Sequence, residues 1–227
     1  MLQAYGNLKT KGRLRLSGSP FQVQKPFRTP DGKERLKHMK ENIWKSSAEH
    51  LKNTKYLALM AAFIAMKIIV GFIRIPVAPN LRISVTFILV ALEASIIGPV
   101  SGMVSGAVTD TLSFMIFPDG AYFPGYTLTA MCGELIYALF LYRKKITVFR
   151  ISVAKFLNNY LINVLMGSLW SAMLYDKAFV FYALNSLIKN TVMLPFEIAA
   201  LTAVFRLLIP YLSRNQWLSA QDHIPWK

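Results

Sequence analysis

From Tyr56 onward the sequence is a series of apolar segments, most of them about as long as a lipid bilayer is thick. A membrane-spanning helix needs roughly 20 apolar residues, because each residue adds only about 1.5 Å along the helix axis. Six such segments can be delimited, at about 56–73, 82–97, 100–117, 125–142, 151–174 and 184–210. They predict an all-α membrane protein with six transmembrane helices.

The amino-acid composition also indicates a membrane protein. The chain is 54% hydrophobic and only 16% charged, whereas a soluble domain carries about a quarter charged residues. The net charge of +15 could suggest nucleic-acid binding, but thirteen of the 26 Lys and Arg residues precede Leu57, and much of the rest flanks the apolar segments. This distribution follows the positive-inside rule. We therefore expect membrane lipid around the chain and no nucleic acid.

Basic residues also predict the orientation of the chain and its division into parts. They precede the first segment, occupy 143–145 between the fourth and fifth segments, and follow the sixth, so both termini are predicted to be cytoplasmic. We expect a basic N-terminal tail at 1–50, a six-helix membrane domain at 51–215 and a short cytoplasmic tail at 216–227. Within the N-terminal tail, residues 1–38 are expected to be disordered or to precede the true start at Met39.

Polar side chains inside the apolar segments indicate a functional site, because an ionised group in hydrocarbon costs several kcal/mol. In four segments they lie in the outer half or near the midplane by helix geometry: Asp110, Glu134, Asn159, Asn163, Asn190 and Glu197. The inner half carries few such groups apart from Lys67, Lys155 and Asn158. A cluster that opens to one side and has aromatic residues at its rim suits a small organic ligand. A salt bridge that only joins helices is the alternative, and for Lys189 the alternative is a pair with Glu197 or a neighbouring carboxylate.

Enzyme and channel interpretations find little support in the sequence. All three histidines lie outside the segments, and Cys132 is the single cysteine, so no metal site or disulfide is expected. The sequence has no Gly-x-x-x-x-Gly-Lys phosphate loop, so we do not expect the chain itself to hydrolyse ATP. An intramembrane enzyme that uses Asp110 and Glu134 remains an alternative.

Alanines recur at a spacing of four in the first segment, as Ala58-x-x-x-Ala62 and Ala61-x-x-x-Ala65. Small residues at this spacing let another helix approach closely in lipid. This pattern is compatible with contact to an external partner and with packing inside the chain's own bundle.

Taken together, these features resemble the substrate-binding S components of energy-coupling factor (ECF) vitamin transporters. The resemblance is strongest to the folate family and covers about residues 52–213. Three stretches carry it: RIPVAPNLRISVTF after the first segment, FPDGAYFPGYTL before the fourth, and KNTVMLPFEIAAL in the sixth. An S component of this kind is a bundle of six helices with cytoplasmic termini.

The resemblance implies a high-affinity folate-binding subunit of an ECF-type ABC importer, embedded in the bacterial plasma membrane. Its ligand would be folate or a reduced folate, without a cofactor, and it would not be an enzyme. Its partners would be a transmembrane coupling subunit, contacted by Ala58, Ala61, Ala62 and Ala65, and two ATPases. An S component for riboflavin, thiamine or biotin is the first alternative, and an intramembrane enzyme or a solitary transporter is the second.

The resemblance also suggests roles for individual residues in folate binding. A carboxylate can accept the donor pair on the pterin edge, and we rank Glu197 and Asp110 ahead of Glu134 for this role. Hydrogen bonds to the remaining ring edges would come from Asn159, Asn163 and Asn190. Stacking on the aromatic rings would come from Phe123, Tyr126 and Trp170. Positive charge for the glutamate tail would come from Arg74, Arg82 and Lys189. For Arg82, extension of the side chain towards the membrane surface is the alternative.

Overall fold

A computed structural model describes residues 43–72, 75–78, 81–83, 85–118, 122–174, 178–214 and 224–226. Within these ranges the chain is helical apart from one small hairpin of two strands. The elements in chain order are α1 (43–50), α2 (Thr54–Phe72), β1 (Ile75–Ala78), β2 (Leu81–Ile83), α3 (Thr86–Ile97), α4 (Pro99–Ile116), α5 (Pro124–Leu141), α6 (Val148–Leu157), a π-helical segment (Asn158–Met166), α7 (Gly167–Leu174) and α8 (Phe179–Arg214).

The predicted helical bundle is confirmed, with corrected boundaries; the sixth helix, for example, is longer than predicted at both ends. The first, third, fourth and sixth apolar segments form α2, α4, α5 and α8, and the fifth forms α6, the π-helical segment and α7. The second segment begins later than predicted, because residues 81–83 form β2, which pairs antiparallel with β1. Pro76 and Pro79 disfavour a helix here, and the β-branched residues beside them suit strands.

Two of the described helices, α2 and α8, are each long and apolar enough to cross a membrane, and α3 is a shorter apolar helix. The helices α4 and α5 both have 18 residues, but they contain more Gly, Ser and Thr. Large apolar side chains are exposed around the outside of the bundle, for example Met115, Phe149, Ile188 and Leu207. Such a surface suits contact with lipid.

The main apolar core lies between α3, α5, α6 and α8. Its fully buried side chains include Tyr137, Leu141, Ile151, Leu201 and Phe205. The helix α2 lies at the edge of the bundle and buries only Met60, Phe63 and Lys67. A lysine is therefore one of the few side chains that attach α2 to the rest of the fold.

The α1 helix caps the start of α4. The turn between α3 and α4 contains Gly98 at a φ of 83°, a conformation that favours glycine. Glycine has no side chain to cap the next helix, and Ser47 supplies one from α1. The Ser47 hydroxyl accepts hydrogen bonds from the amides of Val100 and Ser101 at 3.0 and 3.1 Å. It also donates to the carbonyl of Ile97 at 2.9 Å.

The C-terminal residues 224–226 cap α6 in a similar way. The amides of Val148 and Phe149 donate to the carbonyls of Pro225 and Trp226 at 3.0 and 3.2 Å. Ile224 is buried in the main core. The contacts of α1 and of residues 224–226 lie at the same end of the bundle, where α2, α4 and α6 begin.

The fifth segment is a continuous helix whose middle part is π-helical, from Asn158 to Met166. π-helical turns hold more residues than α-helical turns and often occur at functional sites. Here the two successive residues Asn158 and Asn159 are both buried. The α8 helix also continues through Pro195, so this proline does not end it.

Candidate functional site

The bundle contains two adjoining cavities lined by polar side chains. The first cavity, of about 310 Å³, is lined by residues of α2 to α6 and the π-helical segment. The second cavity, of about 380 Å³, extends towards α7 and α8. The two cavities share Phe87, Thr129, Lys155 and Asn163 as lining residues. Volumes of this size are typical of sites for small organic ligands.

A buried ion cluster lies against the first cavity and joins four helices. The ammonium of Lys67 on α2 is 2.6 Å from Glu93 Oε2 on α3 and 2.7 Å from Glu134 Oε1 on α5. It also donates to the hydroxyl of Ser105 on α4 at 3.1 Å, and this hydroxyl donates to Glu93 Oε1 at 2.5 Å. The charged side chains are at most 1% exposed. Lys67 and Glu134 line the cavity.

A second polar network lies between α6, the π-helical segment and α8. Glu197 Oε1 is 3.1 Å from the ammonium of Lys155, and Glu197 Oε2 accepts a hydrogen bond from Asn159 at 2.7 Å. The amide of Asn163 is 3.4 Å from the side-chain oxygens of both Asn159 and Asn190. The alternative pairing of Lys189 with Glu197 is wrong, because Glu197 pairs with Lys155.

Aromatic side chains form a group at the end of the cavities where α5 begins. The ring of Phe123 is 5.5 Å from the ring of Trp170 and 6.2 Å from that of Tyr126. The indole N–H of Trp170 donates to the hydroxyl of Thr129 at 2.9 Å. Tyr126 and Thr129 line the second cavity.

The structure brings most of the predicted binding residues to these two cavities. Asp110, Glu134 and Asn163 line the first cavity, while Tyr126, Asn163, Lys189, Asn190 and Glu197 line the second. Asn159 donates a hydrogen bond to Glu197, which lines the second cavity. Phe123 and Trp170 belong to the aromatic group. Arg74 lies outside the described residues, and the side chain of Arg82 lies outside the described part of the chain.

The four alanines predicted to contact a partner all lie on the exposed surface of α2. Ala58, Ala61, Ala62 and Ala65 are each exposed. The buried residues of α2 lie on its other side, as described above. This face is therefore available for contact with another helix.

Several polar residues of the site were not among the predicted binding residues. They are Lys67, Glu93, Ser105, Tyr137 and Lys155. The sequence does contain a signal for two of them, because a buried carboxylate needs a partner of opposite charge. Lys67 and Lys155 are lysines within apolar segments and could have been assigned to the buried glutamates on that ground.

Comparison with known proteins agrees with this fold. The family model of the ECF transporter substrate-specific component matches residues 55–210. Two relatives carry the name folate transporter FolT. The one from Clostridium novyi (strain NT) is 34% identical over 159 residues, which are 70% of this chain and 92% of the relative. The one from Leuconostoc mesenteroides subsp. mesenteroides is 31% identical over 153 residues, 64% of this chain and 82% of the relative.

A solved structure, described as FolT bound with folic acid, has the same fold. Its TM-score to this chain is 0.61 at 31% sequence identity, and the match covers 72% of this chain and 95% of that one. The family model alone spans well over half of the sequence. The chain therefore belongs to the family of substrate-specific components of ECF transporters.

Proposed function

We propose that this chain is the folate-binding subunit of an ECF-type importer and delivers folate to the cytoplasm together with a coupling subunit and two ATPases. The observation that carries this proposal is the shared fold with a relative whose structure contains folic acid, at 31% identity over 72% of this chain. The relatives named as folate transporters support it.

The chemistry of the cavities suits folate. The pterin edge presents an amino group and a ring N–H, and carboxylates are the acceptors that bind such donor pairs well. Asp110 and Glu134 line the first cavity and can supply these acceptors. The glutamate tail of folate carries two carboxylates, and Lys189 beside the second cavity can supply positive charge for it.

We infer that the chain acts as a binding subunit and not as an enzyme. Three glutamates of the bundle are engaged with lysines, since the buried Glu93 and Glu134 share Lys67 while the partly buried Glu197 pairs with Lys155. Acids and bases that are held in ion pairs suit recognition and stability more than proton transfer.

For the membrane, we propose six crossings of the bacterial plasma membrane with both termini in the cytoplasm. The exposed apolar surface of the bundle supports contact with lipid, and basic residues at 143–145 and the exposed Arg206 lie at the end predicted to be cytoplasmic. The exposed alanines of α2 are the proposed contact with the coupling subunit.

Ligand titration of the purified chain tests the proposed function. Folate, riboflavin, thiamine and biotin are added separately while tryptophan fluorescence is followed, because Trp170 lies in the aromatic group of the site. We expect a saturable response to folate alone, and a much smaller one in the Trp170→Phe variant. A response only to another vitamin would contradict the folate assignment, and no response to any of them would contradict the site.

Substitution of the exposed alanines tests the proposed partner contact. Ala58→Phe and Ala62→Phe should abolish assembly with the coupling subunit and leave folate affinity unchanged, because both side chains point away from the cavities. Ala203→Phe, at an exposed alanine of α8, is the matched control and should assemble normally. Equal loss of folate binding in the α2 variants would mean that these alanines pack inside the bundle.

A further inference from the structure

We infer that Glu134 is the carboxylate that accepts hydrogen bonds from the pterin edge, and that Lys67 is the residue that positions it. This inference rests on the proposed folate function and makes it specific to one acceptor. It reverses the order expected from the sequence, in which Glu197 and Asp110 ranked ahead of Glu134.

The other candidate carboxylates are already engaged. Both oxygens of Glu197 have partners, Lys155 at 3.1 Å and Asn159 at 2.7 Å. Asp110 is only half-buried, and its Oδ2 accepts a hydrogen bond from Thr127 at 2.7 Å. Neither of these carboxylates is therefore a fully buried acceptor that awaits a ligand.

Glu134 differs from Asp110 in being fully buried, and only one of its oxygens has a partner among the described residues. Its Oε1 accepts from the Lys67 ammonium at 2.7 Å. Its Oε2 is buried and has no hydrogen-bond partner among the described residues. A buried carboxylate oxygen without a donor is costly, and Glu134 lines the first cavity. A ligand N–H that reached Oε2 from this cavity would remove that cost.

A second buried polar group beside the same cavity also lacks a partner. The hydroxyl of Tyr137 has no hydrogen-bond partner within the described ranges, although the residue is only 1% exposed. Tyr137 lies three residues after Glu134 on α5, so the two side chains lie on the same face of that helix. Both residues line the first cavity. Two unsatisfied groups at this position indicate a ligand with several polar atoms on one edge.

Lys67 positions the Glu134 carboxylate, and Lys67 is itself held by contacts to three helices. The Lys67 ammonium donates hydrogen bonds to Glu134 and Ser105 at 2.7 and 3.1 Å, and it lies 2.6 Å from Glu93 Oε2 in an ion pair. Because these partners belong to three different helices, the ammonium cannot move without breaking contacts to the others. Glu134 Oε1 is thereby fixed, and Oε2 is left for the ligand.

The experiment compares folic acid with a folic acid analogue that lacks the 2-amino group. Dissociation constants are measured for both ligands on the full chain in lipid nanodiscs. A hydrogen bond to a charged acceptor accounts for about 10- to 100-fold in affinity, so the wild type should prefer folic acid by roughly this factor. Glu134→Gln should lose most of this preference, because its amide oxygen stays with Lys67 and its NH₂ group replaces the free acceptor.

The double variant Lys67→Met with Glu93→Gln tests the positioning role. It removes one positive and one negative charge, so the net charge of the cluster stays at that of the wild type. Glu134 remains ionisable but loses its contact with the Lys67 ammonium. The preference for folic acid should therefore fall to that of Glu134→Gln. A purely structural role of Lys67 would change both affinities equally and leave their ratio unchanged.

Glu93→Gln alone separates the two parts of the double variant: it keeps the contact of Lys67 with Glu134, so its preference for folic acid should be larger than that of the double variant. A wild-type ratio in Glu134→Gln would refute the assignment of the acceptor, and a wild-type ratio in the double variant would refute the positioning by Lys67. Wild-type protein that does not bind folic acid at all would refute the proposed function itself, which is a different result from either.

Discussion

The close contact between α4 and α5 at Gly106 makes a sharp prediction about stability and ligand binding. A Cβ atom at this position would lie 2.9 Å from the carbonyl oxygen of Ala130, 3.1 Å from its carbonyl carbon and 3.1 Å from Glu134 Cγ. Two of these atoms belong to the backbone of α5 and cannot swing aside. In Gly106→Ala the two helices must therefore separate by a few tenths of an ångström.

The expected magnitude follows from two opposing terms. Overpacking of this kind costs about 1–3 kcal/mol, while alanine in place of glycine stabilises a helix by about 1 kcal/mol. Gly106→Ala should therefore lower the free energy of unfolding by up to about 2 kcal/mol. It should also weaken folate binding, because the displaced part of α5 carries Glu134.

Gly102, one turn earlier on α4, is the matched control. A Cβ atom there would lie 3.5 Å from Glu134 Cβ and 3.7 Å from Glu134 Oε2, which are ordinary contact distances. Gly102→Ala should therefore be neutral or stabilising by up to about 1 kcal/mol. Thermal unfolding and folate titration of both variants in the same nanodiscs give the comparison. Equal stability and equal affinity in the two variants would refute the close α4–α5 contact.

Three further predictions concern other parts of the bundle. Ser47→Ala should cost about 1–3 kcal/mol, because the buried amide of Ser101 and the half-buried amide of Val100 lose their acceptor. Ser46→Ala should cost less, and equal melting temperatures would contradict the cap. Burial lowers the pKa of His50 in the folded chain. The unfolded chain therefore binds more protons, and the free energy of unfolding should fall as the pH drops below about 6.5. If the free energy of unfolding of His50→Gln depends on pH as that of the wild type does, this prediction is contradicted. Glu197→Leu should cost about 3–5 kcal/mol by leaving the buried Lys155 unpaired, and adding Lys155→Met should restore most of the melting temperature.

The helical segments could be predicted from the sequence because their length and apolar character are local properties. The bounds of α4 and α5 differ from the prediction by one residue at each end. The hairpin of β1 and β2 was not predicted: β1 lies between the first two predicted segments, and residues 82–83 of β2 were assigned to the second segment because they directly precede its apolar helix. Seven of the twelve predicted binding residues line the cavities, because a polar residue within an apolar segment is conspicuous, but most of the other lining residues were not predicted.

The pairing of charges could not be predicted in the same way. Lys67 and Glu134 are 67 positions apart, and their contact depends on how α2 packs against α5. The same applies to Lys155 with Glu197, for which the sequence offered Lys189 only as an alternative partner. Interactions between helices depend on packing, and spacing along the chain carries little information about it.

The π-helical segment has a consequence for how positions of this chain correspond to those of its relatives. Because π turns are wider than α turns, the residues after Asn158 lie on other faces than an unbroken α-helix would give them. A relative with a purely α-helical fifth segment would place the same sequence position at a different angle. Roles transferred by alignment should therefore be checked against the structure from Asn158 to Met166, where a gap of one residue can decide which side chain meets the ligand.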